Sequence, residues 1–582
     1  MSIIQSFGAP LPTHMPDYLT IPQFILDKSP IEFLNRTSED TARFYAAGTT
    51  CMMIEEETGQ HITLPQMKER ANALARGLKS RYGLRENDIA SIFSPNHIDY
   101  AICVWATHRL GGIISPMSST LTTSELEYQL KLIHCNMMFV HSSCLTVALE
   151  AITKIGGVGL TVVVIDSPIN SKLMTVDNLV DIGLKMPPYK DLSLVPGEAR
   201  KKIAFLCFSS GTTGLPKAVM ISHFNVICNI IQAATFNHLY DSSIKWEEQR
   251  FRAGDVSSLV LPLYHIYGLV MNLHYVLFAG MNLVISGKFD FTKMLKSIKD
   301  YRISHLWIVP PQAVLFCKHA AVKSADLSSI RCCLVGAAPV TADLSRQLLA
   351  VLPGIHFGQG YGMTESSPTI TMFPLSQKVG TLGSAGHFVS GTMAKIVTAD
   401  GKLAAYGEAG ELFVKGGQVS LGYYNNLQET QDTFIDGWLK TGDVAIVHSN
   451  GDVFVIDRIK ELIKVKGLQV APAELEGHLL VHPDIADAAV IGVPDEYTGQ
   501  LPRAYVVLQP EQASAIKHDP RCAEEIRTRI FEHVSTALAK HKWLKGGIVF
   551  VDAIPKSSSG KILHRLLNDE LVITVGKIET KL

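Results

Sequence analysis

A chain of 582 residues is too long to fold around one ordinary core, so two or more domains are expected. Hydrophobic residues make up 47% and charged residues 18%, a balance that excludes a disordered chain. With 53 Lys plus Arg against 54 Asp plus Glu, the formal net charge is −1, and no global field draws nucleic acid or an anionic membrane.

The N-terminal Met1-Ser2-Ile3-Ile4-Gln5 lacks the basic and apolar regions of a secretory signal. No apolar run approaches the roughly 18 residues that cross a bilayer. Helical periodicity is expected over 64–81 and 124–132. Buried strands rich in Val and Ile are expected at 90–93, 138–141, 160–165, 203–208, 256–261, Asn282–Ile285 and 304–309. Such alternation implies parallel sheets covered on both faces. The ten cysteines show no CxxC pair or metal-ligand spacing, and Cys332-Cys333 reads as part of a buried strand. A reducing compartment suits them. From about residue 382, short strands separated by Gly turns, as around Gly407 and Gly410, suggest an antiparallel, barrel-like section. The charged stretch Arg458-Ile459-Lys460-Glu461 reads as a hinge, followed by a smaller α+β domain.

One loop carries chemistry on its face. Ser209-Ser210-Gly211-Thr212-Thr213-Gly214-Leu215-Pro216-Lys217 follows the strand expected at 203–208. Its glycines let backbone approach an anion, its hydroxyls and amides donate to phosphate oxygens, and Lys217 adds charge. It is not a Walker A loop, which needs GxxxxGK followed by Ser or Thr; Ser557-Ser558-Ser559-Gly560-Lys561 fails too, because Ile562 follows. Neither the protein-kinase residues nor a GxSxG elbow is found.

The loop resembles the phosphate loop of the adenylate-forming superfamily, which includes acyl-CoA synthetases, coumarate–CoA ligases, luciferase and peptide-synthetase adenylation domains. Four further motifs follow in the family's order. They are Gly358-Gln359-Gly360-Tyr361-Gly362-Met363-Thr364-Glu365, Gly437-Trp438-Leu439-Lys440-Thr441-Gly442-Asp443, the run from Asp457 to Gly467, and Pro555-Lys556 through Lys561.

The resemblance implies an α/β fold: a large N-terminal AMP-binding domain over 1–457, and a smaller mobile α+β lid over 458–582 hinged near Lys460. It implies an ATP-dependent acid–thiol ligase that adenylates a fatty or aryl acid and passes the acyl group to coenzyme A. For ATP it implies Ser209, Ser210, Gly211, Thr212, Thr213, Lys217, Gln359, Gly360, Tyr361, Thr364, Asp443, Arg458 and Lys460. Glu365 is the implied ligand of Mg²⁺, a hard cation suited to carboxylate and phosphate oxygens. Tyr361 would pack on adenine, with Gly336-Ala337-Ala338 as the opposite wall. Asp443, after Thr441-Gly442, would be exposed by a turn and accept from the ribose hydroxyls, beside Arg458.

By the same resemblance Lys561 serves adenylation and Lys464 the second step, with Gln469 assisting and Lys466-Gly467 meeting coenzyme A. His265 would stand near the incoming carboxylate. Tyr267, Met271, Gly336 and Met372 are assigned to the acyl pocket. Met271 occupies a position where coumarate ligases carry Ser, which favours a more apolar acid. Few residues follow Lys561, too few for a fused carrier domain, so coenzyme A is the expected acceptor. A separate carrier protein, or a non-catalytic acyl- or nucleotide-binding relative, is the alternative. The final Thr580-Lys581-Leu582 is similar to the Ser-Lys-Leu peroxisomal address, which makes an import receptor an expected partner and the cytoplasm the alternative location.

Overall fold

The computed structural model describes residues 3–34, 36–37, 39–40, 51–157, 159–166, 173–209, 216–466, 468–556 and 561–568. Local chemistry sets the elements. The helix Leu64–Tyr82 opens on a capping box between Thr63 and Gln66 with Pro65 in its first turn, and stops at Gly83 in the left-handed region, φ 65°. It lies very close to the helix Val176–Leu184: a Cβ on Gly183 would meet the Ala73 carbonyl oxygen at 1.8 Å.

Two large sheets follow the expected pattern. One has six strands in the order Thr161–Val164, Met137–Val140, Ile89–Phe93, Ile113–Met117, Ile203–Ser209, Lys217–Ser222. Its neighbours are parallel except the last pair, an antiparallel hairpin in which Ser209 stands opposite Lys217. The other has nine strands, parallel from Met52–Glu55 to His356–Gly362 and closed by antiparallel strands at either end. Ile89–Phe93 and Cys332–Val335 are buried at every position, as strands covered on both faces must be. The expected burial of Cys332 and Cys333 holds.

The section expected to be barrel-like is an open antiparallel sheet of six strands, including Met393–Val397, Ala409–Lys415, Trp438–Val447 and Val453–Arg458. Burial alternates along Ala409–Lys415, so one face packs and the other meets solvent. The sheet does not return on itself. After Arg458 the chain enters a five-stranded sheet, Leu468–Val470, Ile463–Val465, Gly499–Leu508, Ile485–Asp495 and, parallel to the long strand, Ile548–Phe550. This sheet has its own apolar core, including Val490, Val506 and Ile530. Among the described residues no helix is long and apolar enough to cross a membrane.

Candidate active site

A cavity of about 710 Å³ opens where the two large sheets and the open sheet converge, with Ile459, Lys460 and Lys561 reaching it from the C-terminal domain. Lys217 and Ser209 reach it from the mouth of their hairpin. Lys217 Nζ lies 2.5 Å from Glu429 Oε2 and 5.3 Å above the Tyr423 ring. Opposite stands Glu365, only 5% exposed, whose Oε1 accepts from Ser209 Oγ at 3.0 Å and from the Tyr423 hydroxyl at 2.9 Å. Glu365 is carried by the short 3-10 turn Thr364–Ser366 just beyond the strand His356–Gly362. The chain turns there because Gly362 has no side chain: a Cβ would meet the Pro368 carbonyl oxygen at 2.0 Å. Gly360, Tyr361 and Thr364 also line the cavity.

Asp443 departs from expectation. It is not on an exposed turn but inside the strand Trp438–Val447, 5% exposed. Gly442 takes φ 75° without ending the strand, because the pairing shifts between Glu411 and Phe413. The Thr-Gly turn chemistry is absorbed as a bulge. Asp443 Oδ2 accepts from the Tyr361 hydroxyl at 2.5 Å, and Arg458 Nε, on the register partner, lies 3.4 Å from Oδ1. Burial raises the Asp443 pKa despite these partners.

Gln359 is the second correction. It does not line the cavity; its carboxamide accepts from Val340 N–H at 2.9 Å and donates to the Val340 carbonyl at 2.8 Å. With both ends of the amide engaged, it pins the chain after Cys332–Val335.

The two expected lysines part company. Lys561 lines the cavity, with its pKa lowered by burial and by Arg458, against the opposing pull of Glu461 and Asp443. Burial, helped by the Lys561 charge, pushes the His265 imidazole down to about 4, so it is neutral at pH 7. Lys460 and Arg458 line the same cavity. Lys464 and Gln469, register partners in the hairpin of Ile463–Val465 with Leu468–Val470, are exposed and outside it. Lys466 is exposed, its ammonium 4.1 Å over the Tyr497 ring. Ser210, Gly211, Thr212, Thr213, Gly467 and Thr580-Lys581-Leu582 lie outside the described residues.

Part of the cavity lining is apolar. The π-helical stretch Tyr267–Tyr275 brings in Tyr267 and Met271, joined by Leu334, Gly336, Met372 and Trp307. A Cβ on Gly336 would stand 3.1 Å from the Tyr267 ring, so glycine sets how deep that ring lies. Trp307 meets Tyr267 edge to face, centroids 6.1 Å apart. The buried Tyr267 hydroxyl has no hydrogen-bond partner among the described residues.

Tyr423, Glu429 and Trp307 were not foreseen. Tyr423 lies 58 positions from the Glu365 it contacts, and no spacing rule reaches that far. Nor do the described residues hold a group of three His, Cys, Asp or Glu side chains able to cage a metal ion alone.

Known proteins resemble this chain over most of its length. Residues 35–424 match the family described as AMP-binding enzyme, and residues 474–561 match the AMP-binding enzyme C-terminal domain. An acyl-CoA ligase of Glarea lozoyensis is 32% identical over 93% of this chain and 94% of its own. A 4-coumarate–CoA ligase of Narcissus pseudonarcissus is 33% identical over 89% and 90%. The structure of o-succinylbenzoate CoA synthetase from Bacillus subtilis, in complex with its acyl-adenylate intermediate, is 26% identical. It covers 91% of this chain and 98% of that one, with a TM-score of 0.71. An anthranilate CoA ligase in complex with anthranoyl-AMP, 23% identical, shares the fold at a TM-score of 0.78 over 95% and 97%.

Proposed function

This chain belongs to the AMP-binding enzyme family, and we propose that it is an acid–thiol ligase: it adenylates a carboxylic acid with ATP, releases pyrophosphate and transfers the acyl group to coenzyme A. The observation that carries this reading is one cavity lined both by Lys217, Glu365 and Lys561 and by the apolar Met271, Leu334, Met372 and Trp307.

In the first step two anions must meet, so cations and fixed donors lower the barrier. The loop from Ser209 to Lys217 holds the β- and γ-phosphates, Thr364 donates to the α-phosphate, and Asp443 accepts from the ribose hydroxyls. Lys561 bridges the acid carboxylate and the α-phosphate. Neutral His265 stands at the carboxylate's entry without adding a second positive charge. Glu365 fits Mg²⁺: a single buried carboxylate beside the phosphate loop is what this ion uses when nucleotide oxygens and water complete its shell. Bound there, Mg²⁺ would neutralise phosphate charge as pyrophosphate leaves.

For the second step, the division of the chain near Lys460 lets the C-terminal domain turn. Lys561 withdraws, and the face bearing Lys464, Gln469, Lys466 and Gly467 meets coenzyme A. The exposure of Lys464 and Lys466 in the present orientation supports that exchange. Met271, Met372 and Trp307 support an apolar fatty or aryl acid. Import into peroxisomes through Thr580-Lys581-Leu582 is part of the proposal and rests on that tripeptide alone.

The test is a pyrophosphate-release screen over fatty, aryl and branched acids, with and without coenzyme A. Release that needs both ATP and an acid, followed by AMP and a thioester when coenzyme A is present, is the expected result. ATP binding with no acid-dependent release from any acid would instead mean a non-catalytic relative.

A further inference from the structure

We propose that His564 is a positioning residue for Lys561: a clamp that ties the Lys561 segment to Glu461 and Glu476 and holds Lys561 at the cavity. The inference rests on the ligase reading for its kinetic consequence, but its geometry stands apart.

His564 opens the short helix His564–Asn568, three residues beyond Lys561. Its Nε2 hydrogen-bonds Glu476 Oε1 at 2.6 Å, and its Nδ1 lies 3.3 Å from Glu461 Oε2, an ion-pair contact not aligned as a hydrogen bond. Glu476, 8% exposed on the helix Pro472–Leu480, also accepts from Val490 N–H at 2.9 Å, so it is anchored to the C-terminal sheet. Glu461 follows the strand Val453–Arg458, its N–H bonded to the Arg458 carbonyl at 3.0 Å. One ring therefore joins three separate elements. The segment is also held by the Leu563 N–H to Pro555 carbonyl bond of 2.9 Å, the Lys556–Ile562 bridge, the Lys556–Asp487 pair at 2.6 Å, the Tyr505 hydroxyl on the Leu567 carbonyl at 3.1 Å and the burial of Leu567, but among these anchors none reaches Glu461 or Glu476.

Charge decides what the clamp does. Burial alone would strip the proton from His564, but Glu461 and Glu476 outweigh it and hold the group at about 10. The other charged groups acting on this cluster are Asp457, raised to about 6 by burial, and Arg458 and Lys561. Without the imidazolium, two largely buried carboxylates would lack their cation, an expensive arrangement. Lys561, on which Glu461 already acts, is then the cation pulled toward the pair. Its ammonium would be drawn to Glu461 and away from the reacting carboxylate. All of these clamp residues follow Arg458, so the clamp moves with Lys561 and bears on adenylation alone.

The full-length His564→Gln and His564→Arg variants test this. In His564→Gln, kcat for acid-dependent pyrophosphate release should fall about 10- to 100-fold, the scale of a misplaced catalytic group, with little change in KM for ATP. Thioester formation from a supplied acyl-adenylate should stay within about twofold, since that step does not use Lys561. His564→Arg, which keeps the charge and offers a fork of donors, should recover most of the loss. Amide exchange in a peptide covering 561–566 should rise in the Gln variant and return toward wild type in the Arg variant. Wild-type pyrophosphate release in His564→Gln, an equal fall in both half-reactions, or no rescue by Arg would overturn the clamp. If the wild-type protein releases no pyrophosphate with any acid, the ligase reading fails, and the exchange measurement alone decides the clamp: unchanged exchange in His564→Gln rejects it.

Discussion

The Tyr361 hydroxyl donates a 2.5 Å hydrogen bond to Asp443 Oδ2 and so joins the strand His356–Gly362 to the strand Trp438–Val447 at the cavity wall. Arg458 approaches the other oxygen at 3.4 Å. Asp443 is thus held in place from two sides. Tyr361→Phe removes a donor to a buried carboxylate, a change of about 1.5–3 kcal/mol. The expected result is a rise of about tenfold or more in KM for ATP, with kcat less affected. Burial already raises the Asp443 pKa, and loss of the hydroxyl raises it further. The acidic limb of the rate at limiting ATP should therefore move to higher pH in the variant, because the carboxylate is lost as pH falls through its pKa.

Lys561 and Lys464 should separate the two half-reactions. Lys561→Ala should slow acid-dependent pyrophosphate release by about 10²-fold or more, the scale for removing one preorganised charge from a transition state. Thioester formation from a supplied acyl-adenylate should be spared. Lys464→Ala should show the reverse. Wild-type adenylation in Lys561→Ala would remove this lysine from the mechanism.

The pKa of Lys561 is lowered by burial and by Arg458. Its ammonium is therefore lost earlier, as pH rises, than that of a free lysine. Adenylation should decline on the alkaline side below pH 10.5, the ordinary lysine value. Lys561→Arg should keep its charge and lose that limb, whatever its absolute rate. Initial rates of pyrophosphate release from pH 7 to 10.5 measure this; a limb that persists in Lys561→Arg belongs to another group.

Lys217 is paired with Glu429 at 2.5 Å, and a triphosphate must displace or share that carboxylate. The pair is partly exposed, so its contribution is about 0.5–1 kcal/mol. Glu429→Gln should lower KM for ATP about two- to fivefold at low salt, with stronger dependence on added salt because Lys217 is then uncompensated. A higher KM would mean that Glu429 aims Lys217 rather than competing for it.

Gly336 controls the acid end. An Ala Cβ would stand 3.1 Å from the Tyr267 ring and push it toward the cavity. Gly336→Ala should raise KM for the preferred acid and shift preference to shorter or narrower acids, while KM for ATP holds. Competition between acids of graded size in the pyrophosphate assay is the measurement.

The sequence by itself determined a good deal here. Alternating strands and helices are local features, written in periods of two and 3.6 residues, and the structure follows them at Ile89–Phe93, Asn282–Ile285 and Leu64–Tyr82. Resemblance to five family motifs pointed to Lys217, Glu365, Arg458, Lys460 and Lys561, which all line the cavity; read alone, none of these residues declares a role. Tertiary structure decided the rest. Thr441-Gly442 reads as a turn, yet pairing with Ala409–Lys415 absorbs it as a bulge and buries Asp443. Gln359 reads as a nucleotide contact, yet Val340 takes both ends of its amide. Tyr423 and Glu429 belong to no motif and meet Glu365 and Lys217 only because separate sheets converge. That Lys561 lines the cavity while Lys464 stands outside depends on how the C-terminal sheet is set against the larger ones. Such contacts join residues far apart in the chain, and their geometry comes from packing between elements, which no local pattern encodes.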